Sequence, residues 1–412
     1  MFYASYKDII GMPLALPQTW LKSRSTTASP RIVIVGGGFG GLYTALYLQK
    51  YRHLKHCSLT LIEPRERFLF TPLLYEVLTE ELLLWEVAPF YKTLLTGTNI
   101  QWRQDWATHF DLVQQQISLR QGEAIFYDYL VVATGAKTRH LPIPGIEKHA
   151  ITFRSLADVV EVKTQLDHLA QVSAPVSVTV IGAGASGVEL AAKVADRLSG
   201  AKVRLVDRGA DVLRAFPKGL QHHAIKALMQ RGVEIHLKTQ VDAVGADYIG
   251  LNGTQLANDL TLWATGTEPM PWLGSPINTN EQGQVWVRPT LQLGEYDNVF
   301  VIGDAAVQKY STPNTAQAAY QAAAVVAGSL ANMTRKRRPK HFRYLHLGDM
   351  LTLGKGTGGV WSFGISLAGK LGGIIRRVVY LHRMPTNHHR LKVARRALKQ
   401  LGRALWSLGA KT

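Results

Sequence analysis

The run Arg31-Ile32-Val33-Ile34-Val35-Gly36-Gly37-Gly38-Phe39-Gly40-Gly41 decides the fold. Four consecutive β-branched residues, Ile32–Val35, read as a buried strand, and the glycines after them as a turn. The helical pattern Leu42–Lys50 follows. Gly36, Gly38 and Gly41 therefore hold the spacing G-x-G-x-x-G between a strand and a helix. In that setting the first glycine permits a tight turn, the second lets backbone approach a pyrophosphate, and the third lets the helix pack close to the strand. The helix N-terminus then offers amide hydrogens and the positive end of its dipole to phosphates. Leu59–Ile62 reads as the next strand, and Glu63 at its end is placed to bind ribose hydroxyls.

Working outward, the same order recurs. Val176–Ile181 reads as a strand, Gly182, Gly184 and Gly187 repeat the spacing, Val188–Leu198 is a helix, and Lys202–Val206 is a strand ending at Asp207. The offset from Gly36 to Gly182 is 146 residues (182 − 36). That is two copies of one domain and not a solenoid. Each copy has a further strand closed by Thr-Gly: Tyr129–Ala133 with Thr134-Gly135, and Leu260–Ala264 with Thr265-Gly266. Asn298–Ile302, followed by Gly303-Asp304, comes after the second copy is complete and is expected to return to the first. Alternating strands and helices argue for an α/β protein with parallel, doubly wound sheets. The expected organisation is a flexible extension (1–29), a first Rossmann-like dinucleotide-binding domain (30–150 and 290–340) and a second inserted into it (151–289). A basic amphipathic C-terminal membrane-anchoring region (341–412) follows. Two such domains imply two dinucleotides. Arg208 follows Asp207 directly; the acid favours a free 2′-hydroxyl, as in NADH, while the arginine could pair with the 2′-phosphate of NADPH or be a solvated surface charge.

Composition narrows the classes. Among 412 residues there is one cysteine, Cys57, so a disulfide framework and a thiolate metal site are both excluded, and no metal is expected. The net charge of +18 is concentrated: the residues from Arg335 onward hold 18 of the 47 Lys and Arg but one of the 29 acids, Asp349. A tail so biased meets something anionic. The best candidate for a membrane span, Val360–Leu381, is broken by Lys370, Arg376, Arg377 and several glycines. The first 30 residues lack the apolar core of a secretory signal, although a short organelle transit peptide stays open.

With these motifs on the page, the chain resembles the two-dinucleotide-binding-domain flavoprotein reductases, whose fold is that of the pyridine nucleotide-disulfide reductases. The resemblance rests on both fingerprints, on Ala133-Thr134-Gly135 and Ala264-Thr265-Gly266, and on Val301-Ile302-Gly303-Asp304. It implies FAD in the first copy, NADH or NADPH in the second, and Gly303 and Asp304 against the flavin ribityl chain. Pro64–Val77 lacks the redox cysteine pair of the disulfide reductases, and sulfide:quinone reductases also need several cysteines. The segment Thr315-Ala316-Gln317-Ala318-Ala319-Tyr320-Gln321 is similar to the AQxxxQ motif of type II NAD(P)H:quinone reductases, as is Phe70–Tyr75 to their segment after the first acid. The resemblance puts Gln317 and Gln321 beside a quinone, where an amide can bond a quinone carbonyl, and Ala316 with the residues that bind the cofactor. Glu189 resembles a family glutamate near the nicotinamide; as an alternative it is an ordinary first-turn carboxylate held by the helix dipole. Leu73–Glu81, Trp85–Pro89 and Tyr380–Thr386 look closest to the cyanobacterial and plastid branch, described as demethylphylloquinone reductases. Plastoquinone is the other candidate acceptor.

In Arg390–Lys411 the residues Leu391, Ala394, Leu398, Leu401, Leu405 and Leu408 recur at three and four, with Trp406 near the end. Arg390, Lys392, Arg395, Arg396, Lys399 and Arg403 lie mostly off that stripe. A basic amphipathic helix of this kind reads as an anchor on an anionic lipid surface, with Arg335–Arg338 facing the same leaflet. This predicts a peripheral membrane protein on a cytoplasmic-side or stromal-side face, the thylakoid included. The alternative for the helix is docking on a homodimer partner; nucleic acid has no support. Two functional alternatives stay open: reduction of an acidic iron–sulfur protein, and a redox-sensing flavoprotein with slow turnover.

Overall fold

The computed structural model describes residues 29–139, 141–310 and 312–409, with residues 401 and 403–409 given by their backbone. The expected extension 1–29 therefore lies almost wholly outside the described residues, as do the side chains of Leu401, Leu405, Trp406 and Leu408.

Strand β1 (Arg31–Val35) leads into helix α1 (Phe39–Leu48), followed by β2 (Ser58–Ile62), β3 (Ile100–Arg103) and β4 (Tyr129–Val132). The second repeat contains β5 (Ala150–Thr152), α2 (Leu156–Leu169), β6 (Ser177–Ile181), α3 (Ala185–Arg197), β7 (Lys202–Val206), β8 (Glu234–His236) and β9 (Leu260–Trp263). Its five strands form one parallel sheet in the order β8-β7-β6-β9-β5. Strand β10 (Val299–Val301) then returns to β4, completing a parallel sheet ordered β10-β4-β1-β2-β3. All but the first residue of β1, β6 and β7 is buried, as strands covered on both faces require.

Both fingerprint helices start three residues earlier than the sequence pattern predicts, at Phe39 and Ala185, with Gly38 and Gly184 as their N-caps. The third glycine thus lies inside the first turn of each helix. Its low helix propensity is outweighed by the close approach it permits, since a side chain on Gly41 or Gly187 would overlap the carbonyl oxygen of Gly36 or Gly182.

After β10 the chain forms α4 (Ala316–Met333), which packs along α1 and buries Ala318, Ala319, Ala322, Ala323 and Ala327. A C-terminal layer follows: β11 (Asp349–Thr352), β12 (Gly358–Ser362) and β13 (Ile365–Gly369) form an antiparallel sheet, then α5 (Lys370–Arg383) and α6 (Asn387–Gly409). Gly358, Gly372 and Gly373 meet where α5 crosses β12, so close that added side chains would collide with backbone. The glycine-bearing apolar run rejected as a membrane span is therefore two strands and a helix. Among the described residues no helix is long and apolar enough to cross a membrane.

Candidate functional site

The two Thr-Gly turns carry the chain from the sheets into a shared ribbon: Ala136–Thr138 pairs antiparallel with Thr267–Pro269. Gly135 and Gly266 both have positive φ, +72° and +58°, which this exit needs. The sheets' fingerprint ends are thereby tied to each other.

In the first copy Gly36 has φ +96°, and a side chain there would overlap the Ala133 carbonyl. Gly38 differs: a Cβ on it would meet no atom within 4 Å. The helix N-terminus thus faces open space at one glycine only. Glu63 is 1% exposed and its Oε2 accepts from the Gly37 amide at 2.6 Å. The Arg65 guanidinium donates to the same carboxylate at 2.7 and 2.8 Å, and the Tyr91 hydroxyl donates to the Gly37 carbonyl at 2.7 Å. Glu63 therefore shapes the glycine loop as well as ending β2.

The second copy repeats the arrangement. Gly182 has φ +109° and abuts the Ala264 carbonyl, while Gly184 faces open space. Asp207 accepts from the amides of Ala183 at 2.7 Å and Gly209 at 2.6 Å. Gly182, Gly184, Asp207, Arg208, Thr265 and Gly266 border a cavity of about 630 Å³. There the buried Thr265 hydroxyl has no hydrogen-bond partner, and exposed Arg208 makes no ion pair among the described residues. An open helix terminus, a carboxylate, a free cation and an orphaned hydroxyl suit a ribose–phosphate ligand. The first copy offers the same open cradle with a carboxylate behind it.

Gly303 (φ +71°) and Asp304 follow β10 at the end of the first sheet. Asp304 faces Arg154 at 3.5 Å, and burial pushes its carboxyl above the usual range. The N-terminus of α4, capped by Thr315, opens on a second cavity of about 460 Å³ between α1, α4 and the C-terminal layer. Its border includes Phe39, Phe70, Ala316, Gln317, Tyr320 and Tyr380. Because Phe39 directly follows Gly38, the cavity adjoins the first fingerprint. Gln317 Oε1 accepts from the Tyr344 hydroxyl at 2.6 Å and the Leu347 amide at 3.2 Å, leaving its amide nitrogen without a partner among the described residues.

Two expectations change, and the basic turn is located. Gln321 does not border the cavity: its amide donates to the Leu345 carbonyl at 2.8 Å and accepts from the Leu345 amide at 3.0 Å, clamping that segment to α4. Glu189 is not in the first turn of α3, which is Ala185–Gly187 and holds no acid. It is buried where α3 meets the C-terminal layer, accepting from the Thr352 amide at 2.8 Å and from Arg376 at 3.2 Å. The basic turn Arg335–Arg338 lies at the far end of α4, about 27 Å from Ala316 at 1.5 Å per residue. Arg337 and Arg338 there line a separate opening with Tyr129 and Asp297, at the amino edge of the first sheet.

Sequence reasoning missed the centre of the Glu189 contact. Arg376 is 2% exposed and sits between Glu76 and Glu189, also donating to the Pro72 carbonyl. Burial pushes the Glu189 carboxyl up to about 7, against the opposing pull of Arg376.

Residues 30–323 match the family model described as pyridine nucleotide-disulphide oxidoreductase. The chain is 36% identical to demethylphylloquinone reductase NdbB of Synechocystis sp., covering 89% of this chain and 95% of that protein. It is 32% identical to the alternative NAD(P)H-ubiquinone oxidoreductase C1, chloroplastic/mitochondrial, of Arabidopsis thaliana, over 88% of this chain and 79% of that one. NDH2 from Plasmodium falciparum, solved in complex with NADH, shares the fold at TM-score 0.79 and 19% identity, covering 88% of this chain and 96% of that structure. The chain belongs to the pyridine nucleotide-disulphide oxidoreductase family, and within it to the type II NAD(P)H:quinone oxidoreductases.

Proposed function

We infer that this enzyme takes a hydride from NADH or NADPH and passes two electrons through FAD to a membrane quinone, without pumping protons. The acceptor is a naphthoquinone such as demethylphylloquinone, or plastoquinone. The observation that carries the reading is the apolar cavity that adjoins the first fingerprint at Phe39 and exposes the free amide nitrogen of Gln317. The chemistry supplied by FAD when bound is two-electron transfer between nicotinamide and quinone. This chain's residues do the rest. Gly36, Gly38, Gly41, Glu63, Thr134, Gly135, Gly303, Asp304 and Ala316 cradle FAD; Gly182, Gly184, Gly187, Asp207, Arg208 and Gly266 cradle the nicotinamide dinucleotide. Gln317 donates to a quinone carbonyl, Gln321 fixes the segment that orients Gln317, and Glu189 holds a proton near neutral pH.

The test is spectroscopic. The purified protein should be yellow, bleach with NAD(P)H, and recolour on adding a naphthoquinone. A reduced flavin that persists with the quinone present would favour the sensing alternative. Faster recolouring by an acidic iron–sulfur protein than by quinone would favour the other. In the same assay Arg208→Ala should weaken NADPH about tenfold or more relative to NADH, because a charge-assisted phosphate contact is lost. Equal effects on both nucleotides would remove Arg208 from phosphate reading.

The same proposal includes a lipid surface, with a contact face drawn from α5 and the β12–β13 turn as well as α6. The first half of α6 docks on its own chain: Val393 is buried, His389 bonds the Glu86 carbonyl at 2.8 Å, and Arg396 pairs with Glu86. Arg390 bonds the Met384 carbonyl at 2.7 Å. Lys392 sits over the Trp85 ring at 4.9 Å, so three of the six expected lipid-facing cations are engaged within the protein. Leu391 and Leu398 remain exposed, joined by Leu371, Ile374 and Val378 on α5 and by Phe363 and Ile365 at the β12–β13 turn. Lys370 and Arg395 are exposed on the same two helices. Such an apolar, cation-fringed face suits an anionic bilayer. Ile374→Glu with Val378→Glu should reduce sedimentation with anionic liposomes at least tenfold, since each large aliphatic side chain contributes about 1.5–3 kcal/mol on burial. Unchanged sedimentation would move the contact elsewhere.

A further inference from the structure

Reduction of a quinone to its quinol adds two electrons and two protons. Hydride from NAD(P)H accounts for both electrons and one proton, so the second proton must come from solvent. It has to reach a quinone oxygen inside a cavity bordered mainly by aromatic and aliphatic side chains.

One hydrogen-bonded chain leads from that cavity to water. Tyr344 and Asp349 both border it. The Tyr344 hydroxyl donates to Gln317 Oε1 at 2.6 Å and lies 3.1 Å from His346 Nδ1. His346 Nε2 is 3.3 Å from the Asp349 carboxylate, and the imidazole stacks on Trp361 with centroids 5.7 Å apart. The polarity of the chain follows from donor counting. Gln317 Oε1 also receives the Leu347 amide, so the atom there must be the acceptor. The Tyr344 proton therefore points to Gln317, and its oxygen is free to accept from His346. In the imidazolium form both ring nitrogens donate, Nδ1 to Tyr344 and Nε2 to Asp349. The His346 side chain is 41% exposed, so one end of the chain reaches solvent. The remaining ionisable neighbours are Tyr320, which faces Tyr344, and Arg383, stacked over the Tyr320 ring at 4.5 Å.

We propose that Tyr344 delivers the solvent-derived proton to the bound quinone and is reprotonated through His346, held by Asp349. The quinone oxygen takes the place of Gln317 Oε1 as acceptor of the Tyr344 hydroxyl, whose O–H bond breaks as the new quinol O–H bond forms. The phenolate regains a proton from His346 Nδ1, and His346 regains one from water. Tyr344 is the catalytic residue of the relay; His346 and Asp349 act through it as positioning residues. The relay rests on the quinone reading above.

The experiment uses the flavin-loaded, full-length protein and compares two acceptors. Ferricyanide takes electrons without protons; a short-chain naphthoquinone needs both. General acids contribute about 10²–10⁴-fold, so Tyr344→Phe and His346→Ala should lower kcat with the naphthoquinone by about that range. Ferricyanide turnover should stay within about twofold, because a proton-free transfer bypasses a general acid. Naphthoquinone affinity, read by quenching of protein fluorescence, should change little in His346→Ala, whose ring bonds Tyr344 and Asp349 and not Gln317. Added imidazole should restore much of the quinone rate in His346→Ala and none in Tyr344→Phe. Quinone turnover that survives both substitutions overturns the relay, as does an equal loss with both acceptors or a loss confined to KM. If the unmodified enzyme reduces ferricyanide but no quinone, the quinone reading itself fails.

Discussion

Gly38→Val is expected to yield a folded, colourless protein. The fold tolerates the change because Gly38 is the N-cap of α1, with φ −67°, and an added Cβ meets nothing within 4 Å. Valine in place of glycine at an N-cap costs only about 1 kcal/mol. The space it enters is where the fingerprint brings backbone against pyrophosphate, so the same side chain displaces the ligand. A loss of about 3 kcal/mol in binding weakens affinity by more than a hundredfold, enough to strip flavin during purification. Absorbance at the flavin bands relative to protein, with circular dichroism as the folding check, measures both halves. Gly41→Val provides the contrast: its side chain would overlap the Gly36 carbonyl, so it should lose fold and flavin together. Full flavin occupancy in folded Gly38→Val would remove the first fingerprint from cofactor binding.

The difference between Gly38 and Gly41 also shows how far sequence carries. Strand, glycines, helix and terminal acid are local signals, and both copies appear in the structure with the same division of labour among their glycines. The return of β10 to the first sheet was legible too, because Gly303-Asp304 follows an apolar run after the second copy is complete. What was illegible depends on long-range pairing. Arg376 and Arg377 are adjacent and were read alike, as charges that spoil a membrane span. In the fold Arg376 is interior, bonded to Glu76 across 300 residues of sequence, while Arg377 is half-exposed and pairs with Glu81. Helix periodicity cannot separate them, because the side of α5 that faces inward is set by the contact of Gly372 and Gly373 with β12. Gln317 and Gln321 share a face as their spacing requires. That face meets both the cavity and the strip Tyr344–Leu347, and the structure sets Gln317 against both and Gln321 against the strip alone. In the tail Leu391 and Leu398 lie exposed on one helix, as their spacing predicts, but nothing in the sequence announced that Glu86 would claim Arg396.

Arg376→Met should be among the most destabilising single changes in this chain. The substitution keeps an unbranched side chain of comparable reach but leaves Glu76 and Glu189 buried with their shared cation gone. Removing one partner of a buried ion pair typically costs about 3–5 kcal/mol, because the remaining charge has lost both water and its counter-ion. A drop in Tm of several degrees is expected, and adding Glu76→Gln to Arg376→Met should recover part of it. The dependence on pH follows from Glu189. Its carboxyl, ordinarily near 4.5, is pushed up to about 7 by burial, so the folded state binds the proton more tightly than the unfolded chain does. The stability this contributes is fully present below about pH 4.5 and is lost as pH rises through about 7. Glu189→Gln should flatten that part of the profile, and Arg376→Met should steepen it, since the cation that favours the charged form is removed. Thermal unfolding of the three proteins between pH 5 and pH 8 distinguishes the outcomes. An Arg376→Met protein that melts with the parent at every pH would mean that the two carboxylates find solvent or other partners, and that the three-way contact does not hold the C-terminal layer to the nucleotide-binding body.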